Sequence, residues 1–255
     1  MNFIISATTD IGISKDTNQD SYNIRVYDTS IGKVVLAILC DGMGGLAKGE
    51  VASSSLVNAF SKWSDNKLLS IIENGISDGV IRSEWSLIIT EFNEKIKNYG
   101  KAYGINLGTT ATVMLLTPAR YYIANVGDTR AYEIFGGVTV LTKDQTLVAR
   151  EVEMGILTPE QAETDPRRSV LLQCVGASDD VYPDLFFGET KKDAVYMLCT
   201  DGFRHEITED EIYSYLNPNV MLDAEGMKRN MDSLIEINKQ RQERDNITVL
   251  TVRTF

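Results

Sequence analysis

The chain has 255 residues, 43% hydrophobic and 24% charged, the make-up of a globular protein with ample chain for a core. Disordered, collagen-like and fibrous classes are excluded. Its 36 acids against 25 bases give a formal charge of −11, whereas nucleic-acid binders and peripheral anchors on anionic lipid need a net basic surface, so neither partner is expected.

Taken in chain order, the pattern predicts strands and helices in separate blocks. Asp20–Tyr27 reads as a strand. Val34–Cys40 is a continuous apolar run ending in Asp41-Gly42 and reads as a strand buried on both faces, with a turn at the Asp-Gly. From about Lys48 a helix follows, with Ala52, Leu56, Ala59, Phe60 and Trp63 on one face. Ile81, Trp85, Ile88, Ile89, Phe92, Ile96 and Tyr99 mark one face of a longer helix. Thr109–Leu116, Tyr121–Val126, Arg130–Ile134 and Val138–Thr142 are strands, and Val126-Gly127-Asp128-Thr129 predicts a hairpin between its neighbours. Thr158-Pro159-Glu160-Gln161 and Thr208-Glu209-Asp210-Glu211 are capping-box helix starts. Val195–Cys199, followed by Thr200-Asp201-Gly202, echoes the first apolar run. Met227, Met231, Leu234 and Ile235 predict a late helix, and Ile247–Val252 a last strand.

Strands and helices do not alternate, which favours an α+β sandwich with helices packed outside sheets. Five prolines and no low-complexity tract leave no mark of a boundary, so residues 1–255 read as one domain. The longest apolar runs reach about seven residues, far short of a membrane span. The first residues lack the basic flank of a signal peptide. A cytoplasmic location without membrane attachment is the expectation.

A single histidine, His205, excludes His-rich zinc sites and mechanisms needing two imidazoles. Cys40, Cys174 and Cys199 are scattered and odd in number, which points to reduced thiols rather than a disulfide framework or a CxxC motif. That leaves the acids. Asp41 and Asp201 end apolar strands, Asp245 precedes one, Asp20 opens one, and Asp128 lies in the Gly127-Asp128 turn. Any one of them could be ordinary turn chemistry. Carboxylates on rigid strand ends can also converge, and then need cations among them, for which Mg²⁺ or Mn²⁺ is the hard partner of oxygen ligands. Gly42-Met43-Gly44-Gly45 has neither the Walker nor the dinucleotide pattern; a tight turn that presents a backbone carbonyl to a metal fits it better than a phosphate cradle.

In order, Asn18-Gln19-Asp20, Asp41-Gly42-Met43-Gly44-Gly45, Gly108-Thr109-Thr110-Ala111, Asn125-Val126-Gly127-Asp128-Thr129-Arg130, Thr200-Asp201-Gly202 and Asp245-Asn246 resemble the type 2C metal-dependent protein phosphatases, the PPM family. The Met of Asp-Gly-Met-Gly-Gly resembles the bacterial branch. The resemblance implies a central antiparallel β-sandwich flanked by helices on both faces, with a flap at about 143–178. It implies two Mn²⁺ or Mg²⁺ ions held by Asp41, the carbonyl of Gly42, Asp201 and Asp245. Asp20 would order bound waters, and Asp128 would belong to a weaker third site. It further implies hydrolysis of phosphoserine and phosphothreonine in proteins by a metal-bridging hydroxide, with Asp41, Asp201 and Asp245 as the catalytic acids. The implied setting is a cytoplasmic monomer opposing a cognate Ser/Thr kinase.

Three positions depart from the family pattern. Lys15 stands where a phosphate-binding Arg is usual; it is a candidate phosphate contact or a surface lysine. Gln19 replaces a Glu. His205 replaces a third-site Asp; it is a candidate ligand or an ordinary loop histidine. These changes motivate an alternative, a weak or inactive pseudophosphatase that binds phosphoproteins or a regulatory partner. A phosphohydrolase of small metabolites is a third reading.

Overall fold

The computed structural model describes residues 1–43 and 48–255. In chain order the elements are β1 (Phe3–Asp10), β2 (Asp20–Thr29), β3 (Gly32–Met43), α1 (Gly49–Trp63), a π-helical turn at Ser64–Leu68 and α2 (Leu69–Glu73). Then come α3 (Asp78–Tyr103), β4 (Gly108–Thr109), β5 (Ala111–Leu116), β6 (Arg120–Val126), β7 (Arg130–Ile134) and β8 (Val138–Val140). The remainder is α4 (Leu147–Glu153), α5 (Pro159–Thr164), β9 (Asp184–Glu189), β10 (Val195–Cys199), α6 (Asp201–Arg204), α7 (Glu209–Leu216), α8 (Ala224–Gln240) and β11 (Ile247–Thr254).

Two antiparallel sheets form. One runs β2-β3-β5-β6-β9, with β4 paired to β3; the other runs β1-β11-β10-β7-β8. The apolar runs explain the layers. Along β3, Val35, Ala37 and Leu39 enter the core between the sheets, where Tyr196 and Leu198 of β10 meet them. The alternate residues Val34, Leu36, Ile38 and Cys40 turn outward to Leu56 and Phe60 of α1 and Trp85 of α3. On β10 the same alternation sends Val195, Met197 and Cys199 outward to Ile212 of α7 and Met231 and Leu234 of α8. A strand with period-two side chains that must fill two apolar layers reads as a continuous hydrophobic run. Helices therefore cover both faces of the sandwich, and the α+β class holds.

Both capping boxes form: Thr158 and Thr208 accept from the backbone N–H of Gln161 and Glu211, whose side chains reach back to them. Two expectations are corrected. Val126–Thr129 is not a hairpin, because β6 pairs with β5 and β9 whereas β7 pairs with β10 and β8. This turn carries the chain from one sheet to the other. Asp41-Gly42 does not end its strand either: Gly42 pairs with Thr109 and Met43 with Gly108, so β3 continues two residues further. The predicted tight turn at Gly42–Gly45 lies partly outside the described residues, since Gly44 and Gly45 are not among them. β1 and β9 were not predicted.

Candidate active site

Antiparallel pairing decides which strand ends meet. β2 begins where β3 ends, so Asp20 lies opposite Asp41. β11 begins where β10 ends, with Val249 opposite Cys199 and the Thr200 N–H donating to the Thr248 carbonyl at 3.1 Å. Asp201, one residue past Thr200, and Asp245, just before β11, are thereby brought together. The sheet-to-sheet turn adds Asp128, pinned by Gln145, whose Oε1 accepts from Gly127 N–H at 2.9 Å. Five carboxylates from distant parts of the chain share one end of the sandwich.

The carboxyls of Asp20, Asp41 and Asp128 reflect the crowding. Burial, then the charges of Asp20, Asp201, Asp128 and Asp245, holds the Asp41 carboxyl well above the usual carboxylate range. Burial pushes Asp20 up to about 7; its bond from Thr248 opposes the rise, and Asp201 and Asp245 add to it. Burial and the neighbouring Asp201 push Asp128 up to about 7 against the pull of the Arg204 guanidinium. Asp20 Oδ2 accepts from Thr248 Oγ1 at 2.5 Å and from Thr200 Oγ1 at 3.3 Å. Asp20 Oδ1 and Asp201 Oδ1 are buried and have no partner among the described residues.

The motif residues around the acids fix the backbone. Thr110 Oγ1 accepts from Asp41 N–H at 2.9 Å, Thr110 N–H donates to the Asp41 carbonyl at 2.8 Å, and Thr109 Oγ1 donates to that carbonyl at 3.0 Å. Gly42 has no room for a side chain: a Cβ there would meet the Gly49 carbonyl oxygen at 2.3 Å and that of Gln19 at 2.6 Å. Gly202 is equally tight, with the Asn246 carbonyl oxygen 2.3 Å from where its Cβ would be. Asn246 ties down the loop that carries Lys15, donating from Nδ2 to the Ile11 and Thr17 carbonyls and accepting from Gln19 N–H.

The three departures all lie at this end. Lys15 Nζ is 2.8 Å from Asp245 Oδ1, with Lys15 exposed and Asp245 half-buried. Burial alone would lower the Lys15 pKa, but its bond to Asp245 together with the charges of Asp245, Asp41 and Asp201 outweighs that, and the ammonium is stabilised. His205 Nε2 lies 3.5 Å from Asp201 Oδ2, and Nδ1 lies 3.2 Å from Glu243 Oε2. Oriented to satisfy both neighbours, the Gln19 carboxamide donates to the Gly42 carbonyl at 3.2 Å and accepts from Gly49 N–H at 3.1 Å. Among the described residues, no three His, Cys, Asp or Glu side chains already stand together as a metal cage. The donor chemistry still fits a hard divalent ion: buried carboxylates with raised pKa, and two buried carboxylate oxygens without partners among the described residues. Cys40 and Cys199 are buried free thiols; burial raises both, Cys199 to about 12, so neither is a nucleophile.

Residues 13–245 match the family model for protein phosphatase 2C. The chain belongs to the protein phosphatase 2C family. Within it, the chain is 30% identical to the serine/threonine phosphatase stp of Listeria monocytogenes over 248 residues, 96% of this chain and 93% of that protein. It is 32% identical to the serine/threonine protein phosphatase PstP of Mycobacterium tuberculosis, but spans only 44% of that protein's length. Among solved structures, the Streptococcus agalactiae serine/threonine phosphatase aligns over 100% of both chains with a TM-score of 0.85 and 29% identity. The catalytic domain of PstP in complex with two manganese ions aligns over 99% of both chains with a TM-score of 0.77 and 26% identity. Among the described residues of this protein phosphatase 2C member, no helix is long and apolar enough to cross a membrane.

Sequence reasoning missed a second set of residues at the site. Arg204 donates from Nη2 to the Asp128 carbonyl at 3.1 Å and to Asp144 Oδ2 at 3.3 Å. Arg130 gives Nε and Nη2 to the two oxygens of Asp144, both at 2.8 Å. Glu243 Oε1 accepts from the backbone N–H of Asp245 at 2.8 Å. Burial would raise Glu243, but the bond to His205 and the backbone N–H groups of Asp245 and Arg244 hold it below the usual range. No local pattern flags Arg204, whose partners Asp128 and Asp144 lie far away in sequence, and the bonds that Glu243 accepts from its own neighbours Arg244 and Asp245 leave no signature in the sequence.

Proposed function

We propose that the chain is a metal-dependent phosphoprotein phosphatase that hydrolyses phosphoserine and phosphothreonine. The carrying observation is the convergence of Asp20, Asp41, Asp128, Asp201 and Asp245, whose mutual repulsion calls for cations. In this reading Asp41, Asp201, Asp245 and the carbonyl of Gly42 would hold two Mn²⁺ or Mg²⁺ ions. When bound, such a pair supplies a water acidic enough to attack phosphorus near neutral pH and offsets charge on the phosphoryl oxygens. Asp20, steadied by Thr200 and Thr248, would order water beside the ions. Lys15, on the half-exposed side of Asp245, would meet the incoming phosphate as a point charge. Asp128 and His205 would bear on a third, weaker site. Residues 1–255 would form one catalytic unit with 143–178 as its flap, working as a cytoplasmic monomer on proteins modified by a Ser/Thr kinase.

A second reading has its own support. Lys15 on Asp245, His205 against Asp201 and Gln19 on the Gly42 carbonyl give protein partners to the groups that would hold metal. A metal-free phosphoprotein-binding module is the consequence of that reading. Calorimetric titration with Mn²⁺ separates the two, since the module takes up none. For the phosphatase, p-nitrophenyl phosphate and a phosphothreonine peptide are hydrolysed with Mn²⁺ and not with EDTA. Asp201→Asn is expected to cut that rate by about a hundredfold or more while the fold survives. Metal-independent turnover, or a fully active variant, would sink the assignment.

A further inference from the structure

A cavity of about 760 Å³ opens beside the carboxylate cluster, between α4–α5 on one side and α6–α7 on the other. Its floor is Arg130, Tyr132 and Asp144. Val148 and Val152 form one wall and Ile207 and Ile212 the other; Val148, Ile207 and Ile212 are buried. The size suits a few residues of an extended peptide. Two lining residues also touch the cluster: Arg204 bonds the Asp128 carbonyl, and His205 Nε2 faces Asp201. Cavity and cluster are therefore separated by a partition one side chain thick.

The charges of the cavity divide by depth. At the floor, Arg130 and Arg204 are neutralised by Asp144 and Asp128. At the opening stand Glu163, Glu206 and Glu209, none of which forms a salt bridge among the described residues, while Glu153 is paired with Lys143. Arg168 opposes them in the lining, its Nη1 turned to the Glu163 carbonyl at 3.1 Å, and Arg241, outside the lining, donates to the Glu206 carbonyl at 2.6 Å while its guanidinium pairs with Glu211. Arg204 Nε is buried beneath the lining, without a partner among the described residues.

We propose that this cavity is a subsite for the residues flanking the phosphorylated side chain, and that it selects peptides carrying a Lys or Arg there. The proposal rests on the phosphatase reading. A lysine or arginine lays its alkyl stem between the Val148–Val152 and Ile207–Ile212 walls and its charge among Glu163, Glu206 and Glu209. An acidic flanking residue would meet the same three carboxylates and be disfavoured.

The test compares two phosphothreonine peptides that differ only in carrying Lys and Arg or Glu at positions two and three residues from the phosphothreonine. p-Nitrophenyl phosphate, too small to span both regions, serves as the third substrate. The basic peptide is expected to show a kcat/KM roughly tenfold above the acidic one, as a few partly exposed charge pairs would give. The Glu163→Gln, Glu206→Gln, Glu209→Gln triple variant is expected to bring the ratio of the two peptides to about one. Because it is a ratio, any common effect on chemistry cancels. Equal rates in the parent protein, or a preference that the triple variant keeps, would overturn the subsite while leaving the phosphatase standing. Failure to hydrolyse p-nitrophenyl phosphate with Mn²⁺ would remove the phosphatase reading and the subsite with it.

Discussion

Lys15 is one residue whose role separates phosphate binding from surface decoration. Its ammonium is 2.8 Å from Asp245 Oδ1 and its pKa is raised, so it carries charge at any working pH. Lys15→Ala is expected to raise KM for a phosphopeptide roughly tenfold, the worth of one charge-assisted contact, with little change in kcat. Lys15→Arg should retain most of the affinity. Because Lys15 also occupies Asp245, the Mn²⁺ concentration for half-maximal rate should not rise in Lys15→Ala. Steady-state kinetics with varied peptide and varied Mn²⁺ read both. A rise in the metal requirement with unchanged KM would make Lys15 a support for the metal ligand instead. The aspartates themselves were legible from sequence because each borders a strong apolar run or turn signal. Arg204 and Gln145 were not, because each acts on a neighbour supplied by tertiary packing alone.

Among the elements, the junction of β10, α6 and β11 sets the spacing of two of the acids. Gly202 in α6 sits against the Asn246 carbonyl, at the start of β11. Gly202→Ala drives a methyl to 2.3 Å from that oxygen and 3.3 Å from Asp245 Cβ, so the helix and the strand must separate. The expected cost is about 1–3 kcal/mol of stability, with a higher Mn²⁺ requirement because Asp201 and Asp245 move apart. Thermal melting and a metal titration check it; an unaltered melt and titration would show that the junction yields freely. The buried elements β3 and β10 were plain in the sequence, since filling two layers demands continuous apolar residues. β9 pairs only with β6 and its residues are mostly half-buried, so it gave a weaker pattern. β1 likewise pairs only with β11. The Gly127-Asp128 turn resembles a hairpin locally, and nothing local reveals that β6 and β7 pair in different sheets.

For the molecule as a whole, the carboxylate cluster couples stability to pH. Asp20 and Asp128 have an ordinary value of 3.8 and are pushed up to about 7 in the fold. Between about pH 4 and pH 7 the folded chain keeps protons that the unfolded chain has released, so stability falls as pH rises through that window. In EDTA the protein is expected to melt on the order of 5 °C higher at about pH 5 than at about pH 8. Mn²⁺ added at the higher pH should raise the melt, since it binds the ionised acids. Equal Tm values at both pH values in EDTA would mean that the cluster is ionised without cost. Fold class could be read in advance at this scale because strands and helices come in blocks; the meeting of the acids could be expected only through the family resemblance.

β11 lies between β1 and β10, and Asp245 stands just before it. The stretch of chain that closes the second sheet also delivers the fifth acid. A ribosome-tethered polypeptide whose residues 245–254 are still in the exit tunnel has four of the five carboxylates and an unfilled gap between β1 and β10. Whatever this protein does with those acids begins only after translation has passed that point.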